Sequence, residues 1–369
     1  MNNVILHPGR TTAALLLFTG LAAQCTVLRP TQNAADLKPA AVWQGLELIK
    51  KIPTEQQPKQ ICFNSSSTEM YVTNMNDGSG RGGPVLTPGS LAVYQLPSGQ
   101  LMHRQPARTA IECLVTGKGT LLYTDMFRDE VNVFDLKQRQ ILKRIPIKED
   151  TVANFKNARF RFMPKIIAPA PDGSVWAVSM WLDGVSILDQ DSLQFKRRIP
   201  EFCKHPRGLL YNNRQELIVM CYGVPDGLGQ IVVLDAKADY KIIKKIVTGG
   251  SPRHIVAVNS GLALISNLGL GQIYLYDTST HRILKRLTVG GGPNTIALDV
   301  DGDHLYISQR QSNKVSVLSL AEWKIVATIP VGAYPTGLAV SPDGRFMAVS
   351  NFHQADLYLY QIVRQGPAR

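Results

Sequence analysis

Pro335-Thr336-Gly337-Leu338-Ala339-Val340 and Phe346-Met347-Ala348-Val349-Ser350-Asn351 are two short apolar runs joined by Ser341-Pro342-Asp343-Gly344-Arg345. The joint has the chemistry of a turn: proline presets φ, the aspartate side chain satisfies nearby N–H groups, and glycine accepts positive φ. Runs of this length separated by Asp-Gly predict a β-hairpin. Related starts recur at Pro58, Pro106, Pro164, Pro206, Pro252 and Pro293, at intervals of about 41 to 58 residues, a period that belongs to solenoids, propellers and arrays.

Each copy parses into four strand-like runs. In the sixth they are Thr295-Ile296-Ala297-Leu298, His304-Leu305-Tyr306-Ile307-Ser308, Lys314-Val315-Ser316-Val317-Leu318 and the run 323–329, and the copies contain no long helical periodicity. Four-stranded antiparallel units repeated around an axis are the blades of a β-propeller. The expected class is therefore all-β, a seven-bladed β-propeller. The seventh copy lacks a fourth run after Leu357-Tyr358-Leu359-Tyr360. Ahead of the first copy, Leu46-Glu47-Leu48-Ile49-Lys50-Lys51-Ile52 matches the fourth runs at 241–246 and 282–287. That N-terminal strand is expected to complete the last blade, which removes an exposed sheet edge.

Met70-Tyr71-Val72-Thr73-Asn74 contains the tetrapeptide of the bacterial and archaeal YVTN β-propeller repeat family, and the chain resembles that family over roughly 43–363. Ala263-Leu264-Ile265-Ser266-Asn267, Leu305-Tyr306-Ile307-Ser308-Gln309 and Met347-Ala348-Val349-Ser350-Asn351 are degenerate copies, and Ala170-Pro171-Asp172-Gly173 echoes Ser341-Pro342-Asp343-Gly344. The resemblance implies an exported propeller used for binding or scaffolding more than for one enzyme class. A fold does not carry a function by itself.

The first residues read as an export signal: Arg10, then an apolar stretch over 11–23 too short to span a bilayer as a mature helix. Leu21-Ala22-Ala23-Gln24-Cys25 resembles a lipobox with Gln24 where that pattern wants a small residue. Lipidation at Cys25 and ordinary cleavage that leaves a free thiol are both open, with lipidation favoured. The expected organisation is a signal peptide over 1–24, a tether over 25–41, the propeller over 42–363 and a tail over 364–369, in the periplasm or at the cell surface. In an oxidising compartment Cys62, Cys113, Cys203 and Cys221 can pair. Three pairings are possible; Cys203 and Cys221, at one end of adjoining units, are the preferred pair.

The formal charge of +12 favours anionic partners, or serves only solubility. In a propeller the blade connections open on one face around the channel. The residues after each starting proline gather there: Lys59, Arg108, Lys165, Arg207, Arg253 with His254, Asn294 and Thr336. A ring of cations at a low-dielectric mouth focuses positive potential, and arginine suits bidentate carboxylate or phosphate. The alternative is that they cap strand ends and remain solvated. The loops after the second strands present Asn74, Asp125, Met180-Trp181, Cys221-Tyr222, Asn267, Gln309-Arg310 and Asn351-Phe352-His353 on the same face. There Asn and Asp read first as turn-formers, while Trp181 offers a pocket wall. A long insertion over 148–163 carries Phe160-Arg161-Phe162, cations among aromatics that either pin the loop or stack bases.

The histidines are scattered singly without metal-ligand spacing, and no Gly-x-Ser-x-Gly elbow occurs. No metal or cofactor is expected. The leading expectation is a non-catalytic, monomeric binding propeller for an anionic small molecule or protein partner, tied to a membrane only through Cys25. Ligand contacts are expected at Lys59, Arg108, Arg161, Lys165, Trp181, Arg207, Arg253, His254 and His353. Single-stranded nucleic-acid binding and a lactonase-like or other hydrolase activity are the alternatives.

Overall fold

A computed structural model describes residues 42–76, 88–147, 162–180, 183–223 and 228–365. The signal and tether segments, Cys25, Arg161 and Trp181 lie outside the described residues. The chain forms seven four-stranded antiparallel sheets, the blades of one ring. Blades 1 to 6 span 58–106, 110–146, 164–204, 206–247, 252–288 and 293–330; blade 7 joins 335–365 to the strand Val42–Pro53. Among the described residues the only helical element is the 3-10 turn Ala236–Ala238. The strand Asp356–Gln365 continues two residues past the expected boundary at 363.

Strand alternation sends apolar side chains to both faces of each blade, where they interdigitate with the neighbouring blades. Between blades 4 and 5, for example, Ile218, Met220, Ile231 and Val233 bury against Ile255, Ile265, Tyr274 and Tyr276. Each such side chain contributes roughly 1.5–3 kcal/mol when fully buried.

The Thr of Tyr71-Val72-Thr73-Asn74 has a specific task. In the first strand of blade 1 (Pro58–Phe63) the pairing slips between Pro58 and Ile61, which leaves the N–H of Gln60 without a ladder partner. Thr73 Oγ1 accepts that N–H at 2.9 Å and donates to the carbonyl of Ile111 in blade 2 at 2.9 Å. A hydroxyl does both with a single oxygen. The device recurs: Thr124 takes the N–H of Glu112 and reaches Lys165 O, and Ser266 takes that of His254 and reaches Asn294 O. Ser350 takes the N–H of Gly337 and reaches Lys59 O at 3.0 Å, which carries the chain of bonds from blade 7 back to blade 1.

A second repeated position also ties blades together. The residue before the fourth strand has positive φ in blades 1 to 6: Gly99, Arg139, Leu193, Tyr240, His281 and Trp323. In blades 2, 3 and 5 an aspartate at the start of this turn, Asp135, Asp189 or Asp277, accepts two backbone N–H groups and fixes it. The left-handed residue then reaches the preceding blade. Arg139 pairs with Glu69 at 2.7 Å, His281 Nε2 lies 3.2 Å from Glu216, and Lys285 sits 5.4 Å over the ring of Trp323. At Gly99 the arrangement inverts, because Ile52 of the N-terminal strand occupies the space a Cβ would need.

Ring closure follows the expected route. Val42–Pro53 pairs antiparallel with Asp356–Gln365 from Val42↔Gln365 to Pro53↔Asp356, and Ile52 is buried with Leu357, Leu359 and Leu96. Deleting residues 46–52 therefore removes both an outer strand and the contact between blades 7 and 1. We expect a strongly lowered thermal midpoint in circular dichroism; an unchanged midpoint would refute closure by this strand.

Candidate anion site in the axial channel

The hydroxyls that bridge the blades hold the carbonyls of Ile111, Lys165, Asn294 and Lys59. These belong to the second residues of the first strands, so the bond that joins two blades also fixes a residue whose side chain faces the axis. Around the ring that position reads Lys59, Ile111, Lys165, Arg207, Arg253, Asn294 and Thr336, and all seven line one cavity of about 30 Å³ together with Gln60, Glu112, Ile166, His254 and Thr295. Arg207 is 3 % and Lys165 9 % exposed. Arg253 Nε donates to Asn294 Oδ1 at 2.9 Å, and Asn294 Nδ2 donates to Thr336 O at 2.8 Å.

Four cations thus share a small space with one carboxyl, and the electrostatics show the conflict. Burial, then Arg253, Arg310 and Arg207, lowers the ammonium of Lys59 well below its usual range. Burial and Arg253 do the same to Arg207. Burial, then Arg253, brings Arg310 at the mouth down to about 10. Arginine does not give up its proton in proteins, so the conflict is borne as unfavourable energy rather than relieved by neutralisation. His254 is pushed down to about 4 by burial and then by Arg253, and its buried Nδ1 has no hydrogen-bond partner among the described residues. Glu112 is raised to about 8 by burial, against the opposing pull of the Cys113 N–H, Gln60, Lys59 and Arg253.

Aromatic rings supply part of what water would give. The guanidinium groups of Arg207 and Arg253 lie 5.0 and 5.9 Å from the Tyr222 ring centre. Lys59 Nζ lies 5.2 Å from Phe352 and Arg310 4.1 Å from Tyr334. Such contacts attract a cation to the ring quadrupole. Phe352 also packs with Met75, Ile111 and Met126 in an apolar cluster on blades 7, 1 and 2, so Lys59 and Arg310 rest against an apolar part of the channel mouth.

The structure brings together Lys59, Lys165, Arg207, Arg253 and His254 of the residues picked from sequence. Arg108 does not join them. Pro106 ends the outer strand of blade 1, and Ala110, paired with Asp125 as Pro58 is with Asn74, holds the proline's register. Ile111 therefore fills the ring position of blade 2, while Arg108 lies over Phe127 at 5.9 Å and donates its backbone N–H to Asp125 at 2.7 Å. His353 stacks on Tyr334 at 4.1 Å outside the cavity lining. Arg161 and Trp181 lie outside the described residues. Glu112 was missed, although a charged residue inside an otherwise apolar strand, in the same column as Gln60, His254 and Thr295, marks it. Disulfides join Cys203 to Cys221 and Cys62 to Cys113; the second anchors the strand that carries Glu112.

These features define a seven-bladed propeller with a buried cationic axial cavity. A family model described as Lactonase, 7-bladed beta-propeller matches residues 248–366, the last three blades. Among solved structures, a Kuenenia stuttgartiensis hydrazine synthase chain is similar with a TM-score of 0.69 at 17 % identity, covering 86 % of this chain and 98 % of its own. The virginiamycin B lyase from Staphylococcus aureus, in selenomethionine-substituted form, is similar with a TM-score of 0.67 at 14 % identity, covering 86 % and 100 %. No curated protein matches the chain.

Glu112 gives the folded protein a measurable signature. Its folded value near 8 lies above the unfolded carboxyl value, so the folded state binds a proton that the unfolded state releases between about pH 4.5 and 8. Its contribution is present at low pH and lost as pH rises through 8, with a slope of up to about 1.4 kcal/mol per pH unit. The stability advantage of wild type over Glu112→Gln, measured by urea unfolding, is expected to shrink steadily from pH 5 to pH 8. A constant difference would show that Glu112 is ionised in the folded cavity.

Proposed function

We propose that this protein binds an anionic small molecule in its axial channel. The observation that carries the reading is the convergence of Lys59, Lys165, Arg207 and Arg253 on one cavity whose lining, among the described residues, holds a single carboxyl, Glu112. Like charges buried at this density raise the energy of the site, and an anion placed among them offsets that repulsion. Asn294 and Thr336 add neutral polar groups, and Tyr222 and Phe352 back the cations. Replacing Lys165, Arg207 and Arg253 together with Gln is expected to abolish the stabilisation by phosphate or sulfate that wild type shows in a thermal-shift titration. Equal stabilisation of both proteins would sink the reading.

The setting we propose is the cell envelope, with Cys25 as lipid anchor after removal of 1–24. The two disulfides support an oxidising compartment. The intact mass of the protein purified from its native host should include acyl chains on Cys25; a mature mass without them would count against the anchor.

A second reading is favoured by the lactonase-type match over blades 5 to 7 and by Glu112, whose value near pH 8 suits a general base. On it, the cations bind and polarise an ester or lactone carbonyl while Glu112 activates water. Turnover of a lactone panel that disappears in Glu112→Gln would favour this reading over simple binding.

A further inference from the structure

The dimensions of the cavity narrow the ligand beyond its charge, and the narrowing rests on the anion-binding reading above. A space of about 30 Å³ for the centres of water-sized molecules has room for about two or three waters. A carboxylate, bicarbonate or phosphate fits such a space, which is too small to enclose a sugar ring, a nucleobase or a peptide. On the mouth side Met75, Ile111, Met126 and Phe352 are buried against one another.

Glu112 stands in the wall of this space, and its ionisation state decides whether an anion is tolerated. From blade 1 it faces Lys59 and Gln60, from blade 3 Lys165, and from blade 5 Arg253. The second strands packed against its own present the hydroxyls of Thr73 and Thr124 at this level. Asp125, one residue beyond Thr124, is turned to the backbone N–H groups of Arg108 and Thr109. An ionised Glu112 would repel an incoming anion across a few ångströms of low-dielectric space. A protonated Glu112 becomes a hydrogen-bond donor to the same anion. The bound anion in turn offsets the cations that hold the carboxyl down, so anion and proton favour each other.

We propose that the cavity binds one small oxyanion of carboxylate, bicarbonate or phosphate size, together with a proton on Glu112 that is donated to it as a hydrogen bond. Affinity then falls as pH rises through the value near 8 to which burial raises the carboxyl. Lys59 works in the same direction, because a bound anion restores the proton that burial and Arg253 disfavour.

The test is isothermal titration of the full chain with formate, acetate and phosphate, and separately with glucose 6-phosphate and a short oligonucleotide. For acetate and formate it is repeated at pH 7 and 9, in two buffers of different ionisation enthalpy. The expected result is one-to-one binding of a small anion that weakens about tenfold or more between pH 7 and 9, with a buffer-dependent heat that reports proton uptake. Glu112→Gln, which cannot ionise, should flatten most of that pH profile. Tighter binding of glucose 6-phosphate or the oligonucleotide than of every small anion would overturn the size assignment. Affinity independent of pH, or an unchanged profile in Glu112→Gln, would overturn the proton on Glu112. No response to any anion, small or large, would instead overturn the anion-binding reading itself.

Discussion

The hydroxyl near the end of the second strand, which bridges to the next blade from blades 1, 2, 5 and 7, is the interaction on which ring and site both depend. The pairing slip at the start of a first strand frees one N–H, and the next blade brings one carbonyl within reach. Thr73, Thr124, Ser266 and Ser350 satisfy both with a single atom. Removing such a hydroxyl strands two buried backbone groups, a loss of about 1–3 kcal/mol for each. Blade 4 is instructive because Met220 stands where the hydroxyl should be. There Gly208 lets the backbone of Arg253 and His254 in blade 5 approach to 3.1 Å from where a Cβ would sit. The same joint is made by other means.

Rigid joints matter because the axis is crowded with like charge. A flexible ring would let Lys59 and the arginines swing out to water, and the cavity would lose its potential. Here the carbonyls of Lys59 and Lys165 are held by Ser350 and Thr124, so their side chains start from fixed points facing inward. The cost of that arrangement is offset elsewhere, by the left-handed residues that reach into preceding blades and by the buried apolar faces between them. A site under such strain is a common exchange of stability for binding.

Much of this was legible in the chain itself, and the failures have physical causes. The hairpin signal at Ser341-Pro342-Asp343-Gly344 and the unmatched strand at 46–52 gave fold and closure, because both depend on local pattern and on the count of strands. The ring position was readable in blades 1 and 3 to 7, where a proline marks the start of the strand. It failed in blade 2, where Pro106 ends one strand and Ala110 opens the next without a proline. Only strand register separates those two roles, and register is a pairing property that no local motif states. Glu112 escaped for a related reason: its neighbours across the channel lie on other blades, more than fifty residues from Lys59 in sequence and still further from Arg253.

The solved structures that share this ring carry names of unlike activities at 17 % and 14 % identity, so the propeller itself does not select a chemistry. What distinguishes this chain is how it breaks its own repeat. A seven-fold scaffold offers one axial position seven times, yet an anion of a few atoms has no seven-fold symmetry to match. Filling the position with lysine or arginine in blades 1, 3, 4 and 5, and with Ile111, Asn294 and Thr336 in the others, turns a symmetric ring into a directional field. Asn294 and Thr336 mark the weak side of that field, Glu112 stands between the lysines of blades 1 and 3, and the Nδ1 of His254, without a hydrogen-bond partner among the described residues, lies on the strong side. On the proposed anion-binding reading, the ligand is oriented by the departures from the repeat, while the repeat holds those departures in place.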